Sequence, residues 1–216
     1  MKADDRTSVV GLLLAGGQSR RMDGGDKGLL MLSGTPMLGH VLARLWPQVA
    51  ALAINANGDP KRFAAFALPV VADTVQGYAG PLAGIHAGMR WAARHVPGAQ
   101  WIATASSDVP FLPLDLVARL AAAMTGHSEG GIAIASSGGR AHPVIGLWPV
   151  VLADALESAI RAGEFRVGHW ARTQGAIEVD FPAVEVAGRS VDPFFNANTP
   201  KDLDEARAIL AQMALA

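Results

Sequence analysis

A short segment near the amino terminus combines glycines with three cationic side chains. The segment Leu14–Lys27 reads LAGGQSRRMDGGDK: Gly16 and Gly17 directly follow an apolar run, and two arginines and a lysine come within the next ten residues. Without a Cβ, the paired glycines let the backbone approach a ligand closely and present its N–H groups. Arginine offers phosphate oxygens a planar fork of donors, and lysine offers a mobile charge. The composition indicates a phosphate-binding loop; the alternative is a surface turn with solvated charges.

The spacing of this segment excludes two other kinds of phosphate-binding loop. A P-loop has Ser or Thr directly after its lysine, whereas Gly28 follows Lys27. A dinucleotide-binding loop opens a helix with the pattern G-x-G-x-x-G, and no such spacing is present here. The sequence therefore does not indicate a dehydrogenase of the dinucleotide-binding type.

Single polar residues stand where three further apolar runs end. Asp108 follows one of these runs within Ser106-Ser107-Asp108-Val109-Pro110, and Asn55 and Asp73 end two others. A carboxylate beside bound phosphates most simply holds Mg²⁺, a hard cation that prefers oxygen ligands. An amide or carboxylate at the same edge can contact a base or a ribose. Each position alone is also typical of a turn, so this interpretation depends on the Gly-rich segment lying beside them.

The elements that must position these side chains follow from the hydrophobic pattern. Short apolar runs alternate with segments of helical periodicity, which is typical of βαβ units. The predicted strands of the first half are Val9–Ala15, Ala51–Asn55, Pro69–Ala72 and Trp101–Ala105. The predicted helices of the first half include Leu38–Leu45, Leu82–Val96 and Val117–Met124. Because ligands of such sheets bind at the carboxyl ends of the strands, the loops after these four strands should form one site.

The second half of the chain is less regular. Gly131–Ser136 and His142–Trp148 flank Gly138-Gly139 and predict a hairpin. The remaining predicted elements are a helix from about Val150 to Arg161, a strand Ala176–Phe181 and a last helix that begins at Thr199-Pro200. Together these elements predict an α/β protein, a three-layer α/β/α sandwich around a mostly parallel sheet that the hairpin makes mixed.

Composition limits the class of protein further. The chain has 216 residues, of which 50% are hydrophobic and 17% charged, and this composition excludes intrinsic disorder. A net charge of −1 gives no global basic field for nucleic acid, and the absence of cysteine excludes disulfides and thiolate metal sites. The apolar runs are shorter than the roughly 20 residues of a membrane helix, and MKADDRTS at the amino terminus is not typical of a signal peptide. We therefore expect a cytoplasmic protein with no nucleic-acid or membrane partner.

Seven motifs occur in a fixed order along nearly the whole chain. They are LAGGQSRRMDGGDKGLL (14–30), INANGD (54–59), VVAD (70–73), GPLAGI (80–85), SSDVP (106–110), HPVIGLW (142–148) and FFNANTPKDL (194–203). In these motifs the chain resembles the molybdenum cofactor guanylyltransferases, the MobA family of nucleotidyltransferases with a Rossmann-like GT-A type fold. The resemblance implies Mg²⁺-dependent transfer of GMP from GTP to the terminal phosphate of molybdopterin. The products are the guanine dinucleotide form of the molybdenum cofactor and pyrophosphate.

The resemblance also implies roles for individual residues. Nucleotide-binding residues are Leu14, Ala15, Gly16, Gly17, Lys27, Asn55, Asp73 and Asp108, and Asp108 also binds Mg²⁺. Acceptor-side residues near the pterin are His142, Asn196 and Asn198. We assign electrostatic catalysis to Asp108, Arg21 and Lys27, because a phosphate nucleophile is already an anion and needs no strong general base. Arg20 is a less specific neighbour.

Residues 1–216 should form one nucleotidyltransferase domain, with a nucleotide-binding half at about 8–125 and an acceptor half at about 126–216. The implied partners are GTP and molybdopterin, and the resemblance adds cofactor-assembly proteins and molybdoenzyme chaperones.

Some features leave alternatives open. Asp23 stands where the family usually has glycine and adds negative charge near the phosphates. A cytidylyltransferase acting on the same cofactor is the nearest alternative, although Leu14-Ala15-Gly16-Gly17 is more similar to the guanylyl type. A GTP-binding relative without catalysis is another alternative. For His142, the alternative to a pterin contact is an ordinary hairpin residue.

Overall fold

The computed structural model describes residues 8–16, 26–75, 80–125 and 131–213. Its strands, in chain order, are β1 (Val9–Leu14), β2 (Met31–Leu32), β3 (Thr35–Pro36), β4 (Ala51–Asn55), β5 (Val70–Val71), β6 (Trp101–Ser106), β7 (Ala133–Ser137), β8 (Arg140–Pro149), β9 (Ile177–Asp180), β10 (Val184–Val186) and β11 (Arg189–Val191). The α-helices are α1 (Met37–Leu45), α2 (Pro81–His95), α3 (Leu116–Ala123), α4 (Ala153–Arg161), α5 (Val167–Thr173) and α6 (Pro200–Met213). Short 3₁₀ helices cover Lys27–Leu29, Trp46–Gln48, Pro60–Phe66 and Val150–Leu152.

Seven of these strands form one mixed sheet in the order β5-β4-β1-β6-β8-β7-β9. Strands β5, β4, β1 and β6 are parallel neighbours, and β7 and β9 also pair in parallel. Strand β8 runs antiparallel to both β6 and β7. The mostly parallel, mixed sheet predicted from the sequence is thus confirmed, with β8 as the strand that reverses direction.

Helices cover both faces of the sheet. On one face, α1 packs against β1 and α3 packs against β7, β8 and β9, in one apolar cluster that includes Val9 and Leu13 of β1. On the other face, α2 packs against β1, α4 packs against α2 and α5 packs against β8, in one apolar cluster that includes Val10 and Leu12. Strand β1 is apolar throughout because both of its faces are covered. The three-layer arrangement is therefore confirmed.

A smaller apolar cluster lies beside these layers. Leu203, Ala206 and Ile209 of α6 are buried with Val186 of β10 and Val191 of β11, the strands of a separate two-stranded sheet. This packing places the beginning of α6 and the residues that precede it next to the main sheet, since Ala197 N donates to Asp108 O at 3.2 Å.

Most predicted elements are present, with ends that differ by a few residues. The hairpin occupies Ala133–Ser137 and Arg140–Pro149, and the helix predicted from Val150 begins with a 3₁₀ turn before Ala153. Helix α5 and the short strands β2, β3, β10 and β11 were not predicted, because segments this short carry little periodicity.

The tryptophans divide between the core and its margins. Trp148 is fully buried, donates from Nε1 to Thr104 Oγ1 at 2.8 Å and stacks on the buried Trp170 at 6.2 Å between ring centroids. Trp91 and Trp101, predicted as core residues, are partly buried. Among the described helices, none combines the length and the apolar character that crossing a bilayer requires.

Candidate active site

The carboxyl ends of four parallel strands are level along one edge of the sheet. Leu14 pairs with Asn55 on one side and with Ser106 on the other, and Asn55 pairs in turn with Val71. The loops that follow these strands therefore begin side by side. This edge is where an open α/β sheet binds its ligands.

Lys27 is the centre of one polar group at this edge, the Lys27 cluster (Lys27, Asp108, Asn196 and Asn198). Its Nζ atom lies 2.6 Å from Asp108 Oδ2 and 2.9 Å from Asn196 Oδ1, and it also donates to Asn198 Oδ1. The side chains of Lys27 and Asp108 are only 13% and 14% exposed. Because little water reaches the pair, the attraction between its charges is stronger than on an open surface. The structure thus brings together residues that are distant in the sequence.

Two short segments hold the oxygen partners of Lys27 in place. Ser106 Oγ donates to Asp108 Oδ1 at 2.5 Å. The backbone N–H groups of Asn198 and Thr199 both donate to Asp202 Oδ2 at 2.8 Å, and Asp202 N donates back to Thr199 Oγ1 at 3.2 Å. This reciprocal cap begins α6 as predicted. It holds Asn198, which like Asn196 was predicted for the acceptor side, beside the same ammonium as Asp108.

The Asp73 cluster (Asn55, Asn57 and Asp73) is the second polar group at this edge. Asn55 Nδ2 donates to Asp73 Oδ1 at 2.9 Å and to Val71 O at 3.0 Å. Asn57 Nδ2 donates to Asp73 Oδ2 at 2.8 Å, and Asp73 N donates to Asn57 Oδ1 at 2.9 Å. Asn57 was not predicted as a site residue. Its position two residues after Asn55, just beyond a strand end, could have indicated it.

Two glycines allow close approach at this edge. A Cβ on Gly84 of α2 would lie 2.2 Å from Asn55 Oδ1, and a Cβ on Gly28 would lie 2.9 Å from both Cβ and Oγ of Ser107. Gly84 therefore makes room for the Asn55 amide, and Gly28 lets the residues after Lys27 lie against the turn that carries Asp108. Both are needed for space rather than for an unusual backbone conformation.

Arg62 lies between the residues next to the two clusters. It was not predicted from the sequence. Its Nε lies 2.7 Å from Asp26 Oδ2, and its guanidinium donates to the carbonyl oxygen of Asn57. Asp26 directly precedes Lys27, and Asn57 belongs to the Asp73 cluster. The contact therefore connects the end of the Gly-rich segment to the loop after β4.

The Gly-rich segment is described only at its two ends. Ala15 N donates to Asn55 O at 2.9 Å, and Leu14 O accepts from Ser107 N at 3.2 Å, so both residues are tied to the neighbouring strand ends. Gly16 is exposed, with open space where a Cβ would be. Gly17, Arg20, Arg21 and Asp23 lie outside the described residues. The roles of Gly17 and Arg21 therefore stay predictions.

His142 lies on the hairpin, in contact with the segment that leads to Asn196. Its Nε2 is 2.8 Å from Ser137 Oγ, which donates to Asp192 Oδ1 at 2.8 Å. The His142 and Phe194 rings are 4.9 Å apart between centroids. Burial lowers the pKa of His142; the Asp192 carboxylate raises it, and Arg140 lowers it further.

The oxygen atoms around Lys27 are of the kind that bind a magnesium ion. Within residues 8–16, 26–75, 80–125 and 131–213 there is no group of three or more His, Asp or Glu side chains suited to a metal. Mg²⁺, however, often takes only one or two carboxylates and completes its coordination with substrate phosphates and water. Asp108 supplies one carboxylate, and the Asn196 and Asn198 amides supply neutral oxygens around a position that already carries one cation, the Lys27 ammonium.

Comparisons with known proteins agree with this geometry. The MobA-like NTP transferase domain matches residues 11–176. A molybdenum cofactor guanylyltransferase of Mesorhizobium japonicum is 51% identical over 209 residues, which cover 96% of this chain and 99% of that protein. A molybdenum cofactor guanylyltransferase of a Bradyrhizobium species is 50% identical over 212 residues, 98% of this chain and 97% of that protein.

Solved structures share the fold. Molybdopterin-guanine dinucleotide biosynthesis protein A from Archaeoglobus fulgidus superposes with a TM-score of 0.67 at 24% identity, covering 94% of this chain and all of that one. The fold, the polar edge of the sheet and the extent of the sequence match agree, and the chain belongs to the MobA-like NTP transferase family.

Proposed function

We propose that this protein transfers GMP from GTP to the terminal phosphate of molybdopterin, releasing pyrophosphate and forming molybdopterin guanine dinucleotide. The observation that carries the proposal is the Lys27 cluster, where a shielded ammonium and carboxylate meet at the carboxyl edge of the sheet. Support comes from relatives about half identical over almost the full chain, which are molybdenum cofactor guanylyltransferases.

The residue roles form part of the proposal. We propose that Leu14, Ala15, Gly16, Gly17, Lys27, Asn55, Asp73 and Asp108 bind GTP, and that His142, Asn196 and Asn198 lie on the acceptor side. Residues 1–216 then act as one domain, with the nucleotide half at about 8–125 and the acceptor half at about 126–216. The contacts of Asn196 and Asn198 with Lys27 favour an acceptor phosphate bound directly beside the nucleotide phosphates.

The reaction is a displacement at the α-phosphorus of GTP. An oxygen of the molybdopterin phosphate forms a bond to that phosphorus, and the bond from the α-phosphorus to the oxygen bridging to the β-phosphorus breaks. The bond electrons leave with pyrophosphate. Because the nucleophile is already anionic, the chemistry requires no proton transfer to start it.

Charge repulsion is the main obstacle to this displacement. Two like charges 4 Å apart repel by about 4 kcal/mol at an effective dielectric constant of about 20, and several such pairs meet when a phosphate approaches a triphosphate. Lys27, together with Arg21 from the Gly-rich segment, would neutralise part of this charge. Cations preorganised where charge develops are the usual source of rate enhancement in phosphoryl-type transfers.

Asp108, with the amide oxygens of Asn196 and Asn198, would hold Mg²⁺. When bound, Mg²⁺ supplies further neutralisation of the phosphate oxygens. The Asp73 cluster would contact the nucleoside, since it lies at the same carboxyl edge, with Asn55 on the strand next to β1 and Asp73 after the strand beyond that one.

The proposal also covers the cellular location of the reaction and the protein partners that would receive its product. GTP is an intracellular metabolite, so we place the reaction in the cytoplasm. Handing the product on would bring the protein into contact with cofactor-assembly proteins or molybdoenzyme chaperones.

The direct test is pyrophosphate release by the purified protein with molybdopterin and Mg²⁺. We expect release with GTP and much less with CTP, and a guanine dinucleotide as the other product. Preference for CTP would support a cytidylyltransferase instead. Tight GTP binding without pyrophosphate release would support a non-catalytic relative.

A further inference from the structure

We propose that Ser137 and Asp192 are positioning residues that orient His142 so that its unprotonated Nδ1 accepts a hydrogen bond from a ring N–H of the acceptor's pterin. The inference rests on the proposed function and makes it more specific. It assigns His142 to the pterin ring rather than to the acceptor phosphate, and it gives roles to two residues that no motif had marked.

The hairpin extends past the edge of the sheet at the place where the acceptor must lie. Strand β8 pairs with β6 only between Gly146 and Pro149, whereas Arg140 and His142 pair with β7 alone. Between Gly146 and His142 the register of β8 with β7 shifts, so His142 stands beyond the regular pairing of β8 with β6. The imidazole also contacts Phe194, two residues before Asn196 of the Lys27 cluster.

The hydrogen bonds of Ser137 determine which imidazole nitrogen carries the proton. Ser137 Oγ lies 2.8 Å from Asp192 Oδ1 and 2.8 Å from His142 Nε2. A carboxylate can only accept, so the single hydroxyl proton of Ser137 is directed to Asp192. Ser137 Oγ must then accept from His142, and the proton of the neutral ring is on Nε2.

The other nitrogen is left with a lone pair. Nδ1 of His142 has no hydrogen-bond partner among the residues that the structure describes. Because the pKa of His142 is lowered, chiefly by burial, the ring is uncharged at neutral pH. A neutral ring with its proton on Nε2 can only accept at Nδ1.

A nitrogen that can only accept a hydrogen bond distinguishes the two parts of molybdopterin, its phosphate and its pterin ring. A phosphate monoester at neutral pH is an anion with acceptor oxygens, so it has nothing to donate to Nδ1. A pterin carries N–H donors on its ring system. The hydrogen-bond chemistry of His142 therefore matches the ring.

The same three residue types occur in hydrolytic triads, but their order here is different. In a triad the carboxylate contacts the histidine, and the histidine accepts the serine proton. Here the carboxylate contacts the serine, and the serine accepts from the histidine. Ser137 is therefore not activated as a nucleophile, and its role is to orient the ring.

Two adjacent serines allow a matched kinetic test. Ser136 and Ser137 are both buried, but consecutive strand residues point to opposite faces, and only Ser137 contacts His142. Ser137→Ala should raise the KM for molybdopterin about three- to tenfold, as expected for one lost hydrogen bond, and leave kcat and the KM for GTP within about twofold. Ser136→Ala should leave all three values within about twofold. Ser137→Thr, which keeps the hydroxyl, should restore the wild-type KM. An equal rise in the KM for GTP, or no change in the KM for molybdopterin, would overturn the proposal.

A spectroscopic test needs no substrate. In ¹⁵N spectra of the wild-type imidazoles at neutral pH, the His142 signals, assigned by their loss in His142→Gln, should show a neutral ring protonated on Nε2. Ser137→Ala should remove this preference. A wild-type ring protonated on Nδ1, or a cationic ring, would overturn the inference even if the Ser137 variants do not fold. If the ring is as expected but the protein does not transfer GMP, the proposed function fails, and with it the pterin as the partner of Nδ1.

Discussion

Two groups of charged side chains in this protein use the same chemistry for different purposes. In the Lys27 cluster, an ammonium is surrounded by oxygens of Asp108, Asn196 and Asn198. In what we call the helix cluster (His86, Arg90, Asp154 and Glu157), Arg90 donates to Asp154, to Glu157 at 3.0 Å and to the buried His86 at 3.2 Å. Each cluster satisfies one cation with several acceptors.

The two clusters differ in how the chain builds them. The helix cluster joins side chains on α2 and α4, and His86 and Arg90 stand one helical turn apart, so its geometry follows from helix packing. The Lys27 cluster joins three segments that meet because parallel strands end at the same edge and because the segment before α6 packs against that edge. Asp154 is 87% exposed, whereas Asp108 is 14% exposed. The contrast indicates that position in the fold, rather than residue type, separates the proposed catalytic site from a contact between helices.

Replacing one aspartate in each cluster should give the largest difference in turnover between the two clusters. Asp108→Asn keeps the shape of the side chain but removes the charge, and we expect turnover to fall by at least about 10³-fold because several kcal/mol of charge stabilisation depend on it. Asp154→Asn should leave turnover unchanged. Both are measured as pyrophosphate release, with the Tm as a check on folding. Equal turnover of Asp108→Asn and wild type would contradict the assignment of Asp108.

Removing the cation of the Lys27 cluster should have the next largest effect. We expect Lys27→Met to lower kcat/KM about 10²- to 10³-fold, the range found when one preorganised electrostatic contact is lost. Lys61→Met is the matched control, because it makes the same change in net charge at an exposed lysine on the 3₁₀ helix after β4. Similar kinetics for the two variants would mean that Lys27 acts only through overall charge.

Two glycines one turn apart on α2 allow an effect on the proposed site to be distinguished from an effect on the core. A Cβ on Gly84 would meet the Asn55 amide, whereas a Cβ on Gly88 would lie 2.3 Å from a methyl carbon of Leu12. Gly84→Ala should displace Asn55 and lower kcat/KM for GTP about tenfold to 10²-fold, as a misplacement of about 1 Å does. Gly88→Ala should instead lower the Tm and leave the KM for GTP unchanged. The opposite assignment of the two effects would show that Asn55 is not part of the GTP site.

The smallest effect is expected from replacing Glu157 of the helix cluster, and it concerns stability rather than turnover. Hydrogen bonds from Arg161 and Arg90 lower its pKa from 4.5 to about 2. Because the folded pKa lies below the unfolded value, ionised Glu157 stabilises the fold above pH 4.5, and this contribution is lost as the pH falls through about 2. Glu157→Gln should lower the Tm near neutral pH without affecting turnover. The Tm difference from wild type should shrink below pH 4.5, and a constant difference throughout acid titration would contradict this origin.

Much of the fold could be predicted from the sequence because local patterns carry it. Strands β1, β4 and β6 are continuous apolar runs, and α1, α2 and α3 repeat apolar residues at helical spacing, so burial on the sheet is visible in the pattern. The predicted cap at Thr199 is present because capping is a local interaction. The short strands β10 and β11 were missed, since three residues show no reliable alternation.

The site was predictable in its residue types but not in its contacts. Asp108, Asn55 and Asp73 were identified because polar residues at the ends of apolar runs are conspicuous. The contacts of Asn196 and Asn198 with Lys27 depend on how α6 packs, and Arg62 depends on the 3₁₀ helix that carries it. None of these contacts has a local signature in the chain.

The sequence by itself determined the longer strands and helices and the chemical character of the loop residues, because these depend on neighbours within a few positions. Only the tertiary structure decided which loop residues meet. Lys27 reaches Asp108 and Asn198 because β1 and β6 end level with each other and the segment before α6 is tied to the backbone of Asp108. Such contacts arise between strands and loops far apart in the chain, where no short-range pattern constrains them.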